Sequence, residues 1–315
     1  MRTNLLIGGR KAAPGTRLQG WMAVDGAPDL PVTLLNGREE GPTVLILAGT
    51  HGTEYPGILA AIQLSHKLDP AAIRGAVILV HLLNRPQFAA GTPFVGPDGE
   101  NLNASYPGDP RGSVTGRLAA AVTEQLLPHA DFLLDLHSGD LPETLTPHIY
   151  YPAGGSAEVE SAAIRAAEAF GIRWLVASRS QVGAVGTAAR MGIPGLLVEI
   201  GEGGRWEASG DVARFVAGTE GVLRQLGVLP GVAKRHEVVL LDHFHSLYAG
   251  EDGLWLPAVQ VGERTARGER VGKVVDPFGS ELAGYRAPID GMVLYQTASL
   301  AVRRGDHLIA MAAPR

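Results

Sequence analysis

Cysteine is absent from the 315-residue chain. That excludes disulfides and thiolate metal sites, so any metal would be held by His, Asp or Glu, and the expected nucleophile is an oxygen or a bound water. Long apolar runs are missing too: the stretches 77–83 and 195–200 fall far short of the roughly 18 residues a membrane span needs. The opening "MRTNLLIGGRKAAPG" has no apolar core followed by a cleavage site. Positive charge is not clustered, since 27 Lys and Arg against 32 Asp and Glu give −5. No run of about five basic residues offers itself to a phosphate backbone. These absences point away from nucleic acid and membrane as partners and toward a cytoplasmic protein. What is present is apolar content: 45% hydrophobic residues in 33.0 kDa fill one large α/β core and leave room for a smaller second domain.

Short, uninterrupted apolar segments at 43–48, 76–83, 131–136, 174–177 and 195–200 read as buried strands. Between them, 57–68, 115–127, 156–170 and 211–226 carry apolar residues at helical spacings. Strands alternating with helices imply a mixed, mostly parallel α/β sheet between helices, with ligand sites at the carboxyl ends of strands. "GTHGTE", "DLHSG" and "VEIGEGG" occupy such ends. After "GVLPGVAKR" the texture changes to short β-like runs broken by glycine. We therefore expect a catalytic domain over 1–230 and a C-terminal all-β, barrel-like domain over 231–315. Two stretches of the tail share an order of Pro, apolar residues, then Gly and charge, and resemble the halves of a lipoyl-domain barrel. No lysine stands in "DPFGSELAGYRAPIDG" to carry a lipoyl group, so a structural or gating role is expected.

The stretch "AGTHGTEYPG" (48–57) puts His51 and Glu54 three positions apart on a glycine-rich turn after a buried strand. A catalytic zinc takes about three protein ligands and keeps one position for water, His₂Glu being a common set. The i, i+3 spacing can set both side chains on one side of a tight turn. His137, ending "FLLDLH", is the best third ligand, and Asp135 shares its strand face by the two-residue period, so it could fix the tautomer of a ligand imidazole. A base near the metal but not bound to it must move the water's proton. Glu199 ends an apolar strand at the same sheet edge, where an unpaired carboxylate would be costly and so calls for a reason. Glu202, in a glycine-rich loop, competes with it, although a solvated loop residue is the plainer reading. Of the other histidines, His66, His129, His236 and His307 read as surface residues and His81 as packed in a strand. Asp242, His243 and His245 alternate on a β-like run that could form a second metal site. His148, following "SGDLPETLTP", is a candidate to approach the pocket, although no spacing argument supports it.

"GTHGTEYPG", "NLNASYPG", "DLHSG" and "VEIG", in this order, resemble the succinylglutamate desuccinylase and aspartoacylase family, relatives of the zinc carboxypeptidases. The resemblance runs up to the change of texture and extends to the β-rich tail. It implies one zinc per chain on His51, Glu54 and His137, with Glu199 as the general base that activates water and then protonates the departing amine. It implies a small N-acylated amino acid or amine as substrate. Where the family usually reads Asn-Leu-Asn-Arg, the last two gripping a substrate carboxylate, this chain has Asn103 followed by Ala104. Alanine cannot supply bidentate carboxylate recognition, so another arginine takes that role or the substrate lacks the carboxylate. Arg85 lies near the position of a family arginine that polarises the scissile carbonyl. Arg190 and Arg117 are weaker candidates for binding substrate, Arg117 reading better as a solvated helix residue, and Tyr106 would line the pocket. The expected function is a zinc-dependent deacylase. A peptide carboxypeptidase, or a non-catalytic protein that binds a small ligand and keeps the metal, are the alternatives. Assembly as a homo-oligomer is left open.

Overall fold

A computed structural model describes residues 2–202, 204–205 and 210–314. A hairpin of β1 (Leu5–Ile7) and β2 (Arg10–Ala12) leads into β3 (Thr16–Met22) and β4 (Leu30–Asn36). The expected apolar runs follow as β5 (Glu39–Ala48), β6 (Arg74–Val80), β7 (Phe132–His137), β10 (Trp174–Ser178) and β11 (Gly195–Glu199), with β8 (Glu143–Leu145) and β9 (His148–Pro152) between β7 and β10. The helices are α1 (Tyr55–Lys67), α2 (Arg85–Ala90), α3 (Val114–Ala121), α4 (Ala157–Phe170), α5 (Gly183–Arg190) and α6 (Asp211–Gln225). The tail contributes β12 (Val239–Tyr248), β13 (Gly253–Pro257), β14 (Arg264–Thr265), β15 (Arg270–Val275), β16 (Glu281–Arg286), β17 (Gly291–Thr297), β18 (Ala301–Val302) and β19 (His307–Pro314).

The expected class forms: a large mixed sheet between helices, followed by a C-terminal antiparallel β region. The central strands β6, β5, β7 and β11 run parallel. Continuous apolar runs suit them because both sheet faces are covered. Val44 and Ile46 face the cluster that packs beneath α1, α4 and α6, while Leu45 and Leu47 face the cluster on the α3 and α5 side. All four are 0% exposed, each side chain stabilising the fold by roughly 1.5–3 kcal/mol. Strand β9 breaks the parallel pattern, pairing antiparallel with β11 and parallel with β10. The tail is joined to this sheet, because β12 runs parallel to β10 and then pairs with β19, and β19 with β17. A further four-stranded sheet orders β16-β15-β13-β18, its buried Trp255 at the centre of a separate apolar cluster.

The parallel register places the chemistry. With β5 and β7 adjacent, the turn after Ala48 and the end of β7 at His137 emerge side by side. Helix α1 then lies directly on β7: a Cβ added at Gly57 would sit 2.7 Å from the Leu136 carbonyl oxygen. Gly57→Ala should therefore push α1 away from β7, costing about 1–3 kcal/mol of stability and separating Glu54 from His137. Calorimetry should show a lowered Tm, and metal titration a weakened affinity.

Candidate active site

The turn after β5 is folded by Gly49, at φ +67°, and carries His51 before the chain enters α1. Glu54 is the residue immediately ahead of that helix. His51 Nδ1 lies 2.7 Å from Glu54 Oε1, and His137 Nδ1 lies 3.0 Å from Oε2 of the same carboxylate. One ligand atom from each of the three residues falls within 4.8 Å of the others. The far side of each ring is also engaged. His51 Nε2 lies 3.1 Å from Asn101 Oδ1, and His137 Nε2 lies 3.1 Å from Asp135 Oδ2. The Thr50 hydroxyl holds that aspartate by donating to Oδ1 at 2.9 Å. His51 Nε2 is hydrogen-bonded to Asn101 and His137 Nε2 lies beside the Asp135 carboxylate, so the Nδ1 side of each ring faces Glu54, an arrangement common around metal-bound histidine. Two imidazoles and a carboxylate fit a divalent ion of the zinc type, and among the described residues no second group of this kind occurs, Asp242, His243 and His245 included.

The electrostatics fit the same reading. Burial opposes charge on His51, but the Glu54 carboxylate outweighs it and draws its pKa up to about 9. His137 is raised too, burial again being overcome by Glu54 and Asp135. Burial works against the ionised form of Glu54, yet the two imidazoles bring its pKa down to about 2. Protons on the two imidazoles and a bound cation are thus alternative partners for the Glu54 carboxylate.

Glu199 stands beside this group through strand register. Glu199 on β11 is directly opposite His137 on β7 and His148 on β9. Residues opposite each other on neighbouring strands share a face, so His137, Glu199 and His148 form one row. Burial pushes the Glu199 carboxyl well above its ordinary range; His137 opposes this, while Glu54 and Glu143 add to it. His148 is 2% exposed, and its Nδ1 is 2.7 Å from the Thr146 carbonyl oxygen. A carbonyl only accepts, so Nδ1 carries the proton and Nε2 the lone pair. Nε2 has no partner among the described residues. Glu143, on β8, accepts from the Asp140 N–H at 2.8 Å and is approached by the Tyr295 hydroxyl of β17. Burial, followed by the Glu54 and Asp140 charges, raises its carboxyl to about 7 despite that N–H.

A cavity of about 230 Å³ opens between the sheet and the start of α5, lined by Glu199, Leu197, Tyr150, Asn103 and Gly183 among others. Asn103 Oδ1 is buried there with no partner among the described residues. Gly183 has φ +87°, and a Cβ on it would come 2.6 Å from that oxygen. A second cavity of about 200 Å³ shares Pro152, Ser178, Ser180 and Gly186 with the first and is lined by Arg179 and Arg190. Arg190 donates to the Gln181 carbonyl and, at 3.1 Å, to Thr187 Oγ1. Arg179 is paired with Asp242.

The structure thus brings together His51, Glu54, His137 and Glu199, sets Asn103 in the cavity beside Glu199, and puts Arg190 in the adjoining one. Arg85 and Tyr106 line neither. Asn84 caps α2 by accepting from the Gln87 N–H at 3.1 Å; Arg85, the first residue of α2, stacks its guanidinium 4.6 Å from the Trp21 ring centroid and donates to the Asp29 carbonyl at 3.1 Å. Tyr106 is 5% exposed, packed in the core on the α3 and α5 side. Arg117 donates to the Gly112 carbonyl, and Glu202 lies in the loop, 3.9 Å from Arg205. Sequence reasoning did not single out Asn101, Glu143 or Tyr295, and it named His148 without a spacing argument. Asn101 opens the "NLN" motif, which was the available signal; the others depend on cross-strand register.

Residues 40–226 match the family described as the succinylglutamate desuccinylase/aspartoacylase catalytic domain, and the chain belongs to that family. It is 33% identical over 297 residues to the N-alpha-acetyl-L-2,4-diaminobutyric acid deacetylase of Halomonas elongata, an alignment covering 91% of this chain and 86% of that protein. It is similar in structure to a succinylglutamate desuccinylase/aspartoacylase from Rhodobacter sphaeroides, with a TM-score of 0.86, 27% identity and 95% of each chain covered. The product-bound ectoine utilization protein EutE of Ruegeria pomeroyi gives a TM-score of 0.86 and 27% identity, covering 94% of this chain and 95% of that one. The Halomonas relative is named as a deacetylase and the Rhodobacter one as a desuccinylase/aspartoacylase, which supports a hydrolase. Among the described residues, no helix is long and apolar enough to cross a membrane.

Two outcomes follow from the geometry. Asp135→Asn should free the His137 tautomer and weaken metal affinity about 10–100-fold, measurable by competition with a chromophoric chelator. Burial also pushes His148 down from 6.5 to about 4, so between those values the unfolded chain binds more protons than the native one. The stability this contributes is present above pH 6.5 and is lost as pH falls toward 4, on the order of 3 kcal/mol. His148→Gln should lose less stability than the wild type between pH 7 and pH 4 in urea titrations.

Proposed function

We propose that this protein is a metal-dependent deacylase that hydrolyses the amide bond of a small N-acylated amino acid or amine. The observation carrying this reading is the register that sets Glu199 directly across from His137, beside the only His/Glu/His group found among the described residues. Held by His51, Glu54 and His137, one zinc ion per chain would supply Lewis acidity toward the acyl carbonyl and lower the pKa of a water.

The residues around it divide the remaining work. Glu199 takes a proton from the attacking water and returns it to the nitrogen as the C–N bond breaks, giving a carboxylic acid and an amine. Asn103, which lines the same cavity, orients the substrate. In place of the arginine missing at Ala104, Arg190 on the adjoining cavity supplies a cation for a substrate carboxylate, and the start of α5, which has no side-chain cap, adds free N–H groups. Arg85 and Tyr106 receive no role here, since their side chains engage Trp21, Asp29 and the core. Residues 1–230 carry the metal group and the base, and residues 231–315 support the pocket through Tyr295. The deacetylase relative makes N-acetyl-diaminobutyrate the first compound to try.

Glu199→Gln should keep about one zinc per chain and lower kcat about 10²–10⁴-fold; undiminished turnover would remove Glu199 from the reaction. Free-amine release should be faster from N-acetyl amino acids than from dipeptides, and the opposite ranking would identify a carboxypeptidase. Arg190→Ala should raise KM for substrates bearing a carboxylate while leaving uncharged amides unaffected.

A further inference from the structure

Gly52 and Thr53 separate His51 from Glu54, and two buried side chains tie this pair to one neighbouring segment. Gln87 of α2, 0% exposed, accepts from the Gly52 N–H at 2.9 Å and donates to the Thr92 carbonyl at 3.0 Å. Asp140, 1% exposed, accepts from the Thr53 hydroxyl at 2.5 Å on one oxygen and from the Phe94 N–H at 2.7 Å on the other. The Leu141 N–H adds a bond at 2.6 Å. These donors are all neutral, so the buried carboxylate depends on them: a charge out of water is tolerated only when it is hydrogen-bonded. Asp140 follows closely on His137 and is itself anchored, its N–H donating to Glu143 at 2.8 Å.

Phe94 has φ +63° and is, among the described residues, the one non-glycine with positive φ. That backbone is disfavoured for an aromatic residue and persists where its surroundings hold it, here through the N–H bound to Asp140. The segment so held runs on to Asn101, which engages His51 Nε2, and to Asn103 in the cavity beside Glu199. One carboxylate thus joins the turn carrying His51 and Glu54, the chain leaving His137, and the segment that supports His51 from behind.

We propose that Asp140 is a positioning residue for the metal group, setting the separation of His51 and Glu54 through the Thr53 hydroxyl and the approach of Asn101 to His51 through the Phe94 N–H. It touches neither metal nor substrate. The inference rests on the metal-binding part of the deacylase reading, and the ligand concerned is a divalent cation of the zinc type. Loss of such outer support weakens metal affinity while every ligand stays in the chain.

The test measures zinc affinity by competition with a chromophoric chelator, and the Tm of the metal-free chain, in wild type, Thr53→Val, Thr53→Ser and Asp140→Asn. Thr53→Val keeps the shape and loses the donor, and should weaken zinc binding about 10-fold. Thr53→Ser keeps the donor and should bind zinc as the wild type does. Asp140→Asn disturbs the Phe94 bond as well and should weaken binding at least as much as Thr53→Val, the double variant losing less than the product of the two effects. Unchanged zinc affinity in Thr53→Val, whatever its Tm, would overturn the assignment, and so would equal weakening by Ser and Val. The two Thr53 variants decide the matter where Asp140→Asn does not fold. A wild type that binds zinc but hydrolyses no amide, with the variants in the expected order, would sink the deacylase reading and leave Asp140 in place; a wild type that takes up no divalent ion would sink both.

Discussion

The Glu54 carboxylate lies between two imidazoles, 2.7 Å from one and 3.0 Å from the other, in a place that also holds Asp135 at 0% exposure and draws Glu143 and Glu199 close. Buried charge is tolerated only when paired and hydrogen-bonded. A pocket with this excess of carboxylate is stable only with positive charge at its centre, and protons on His51 and His137 or a divalent cation are the two ways to provide it. A cation held by these residues would displace protons from the imidazoles, so its binding would strengthen as pH rises. The surrounding acceptors, Asn101 and Asp135, keep the Nδ1 side of each ring facing Glu54 in either state. That single constraint explains why the turn after β5, the end of β7 and the start of α1 are so closely fixed.

Register then does for Glu199 what the turn does for His51 and Glu54. Neighbouring strands lie about 4.8 Å apart, so a residue directly across from His137 reaches the ligand group without a loop to place it. Glu199 occupies that position at the end of β11, whose Leu197 and Glu199 face is half-buried against the cavity. Its backbone placement is therefore as rigid as the sheet.

Much of this was legible in the sequence, and the part that was not has a common cause. The central strands and four helices announce themselves by apolar runs and helical spacing, because burial on both faces leaves no other composition possible for β5 or β7. His51, Glu54, His137 and Glu199 were readable because each follows such a run at a strand end. Arg85 and Tyr106 were expected in the pocket from family motifs, but what directs a side chain is its local partner: the Trp21 ring in one case and the core in the other. Glu143 escaped notice, and His148 was named without a reason, because their meaning lies in which residue stands opposite, and β9 reverses direction relative to β11, which no periodicity reveals. The tail read as an all-β region, as it is, yet the parallel pairing of β12 with β10 is a long-range contact with no local signature.

That pairing carries a consequence for how the chain must be made. A ribosome releasing the first 230 residues would leave β10 with a naked flank of backbone N–H and C=O groups and β8 with no mate. Open ladders of this sort are templates for adhesion between copies. The nascent polypeptide therefore cannot complete its main sheet until nearly its last strand has emerged, which ties the birth of the N-terminal part to the arrival of the other end.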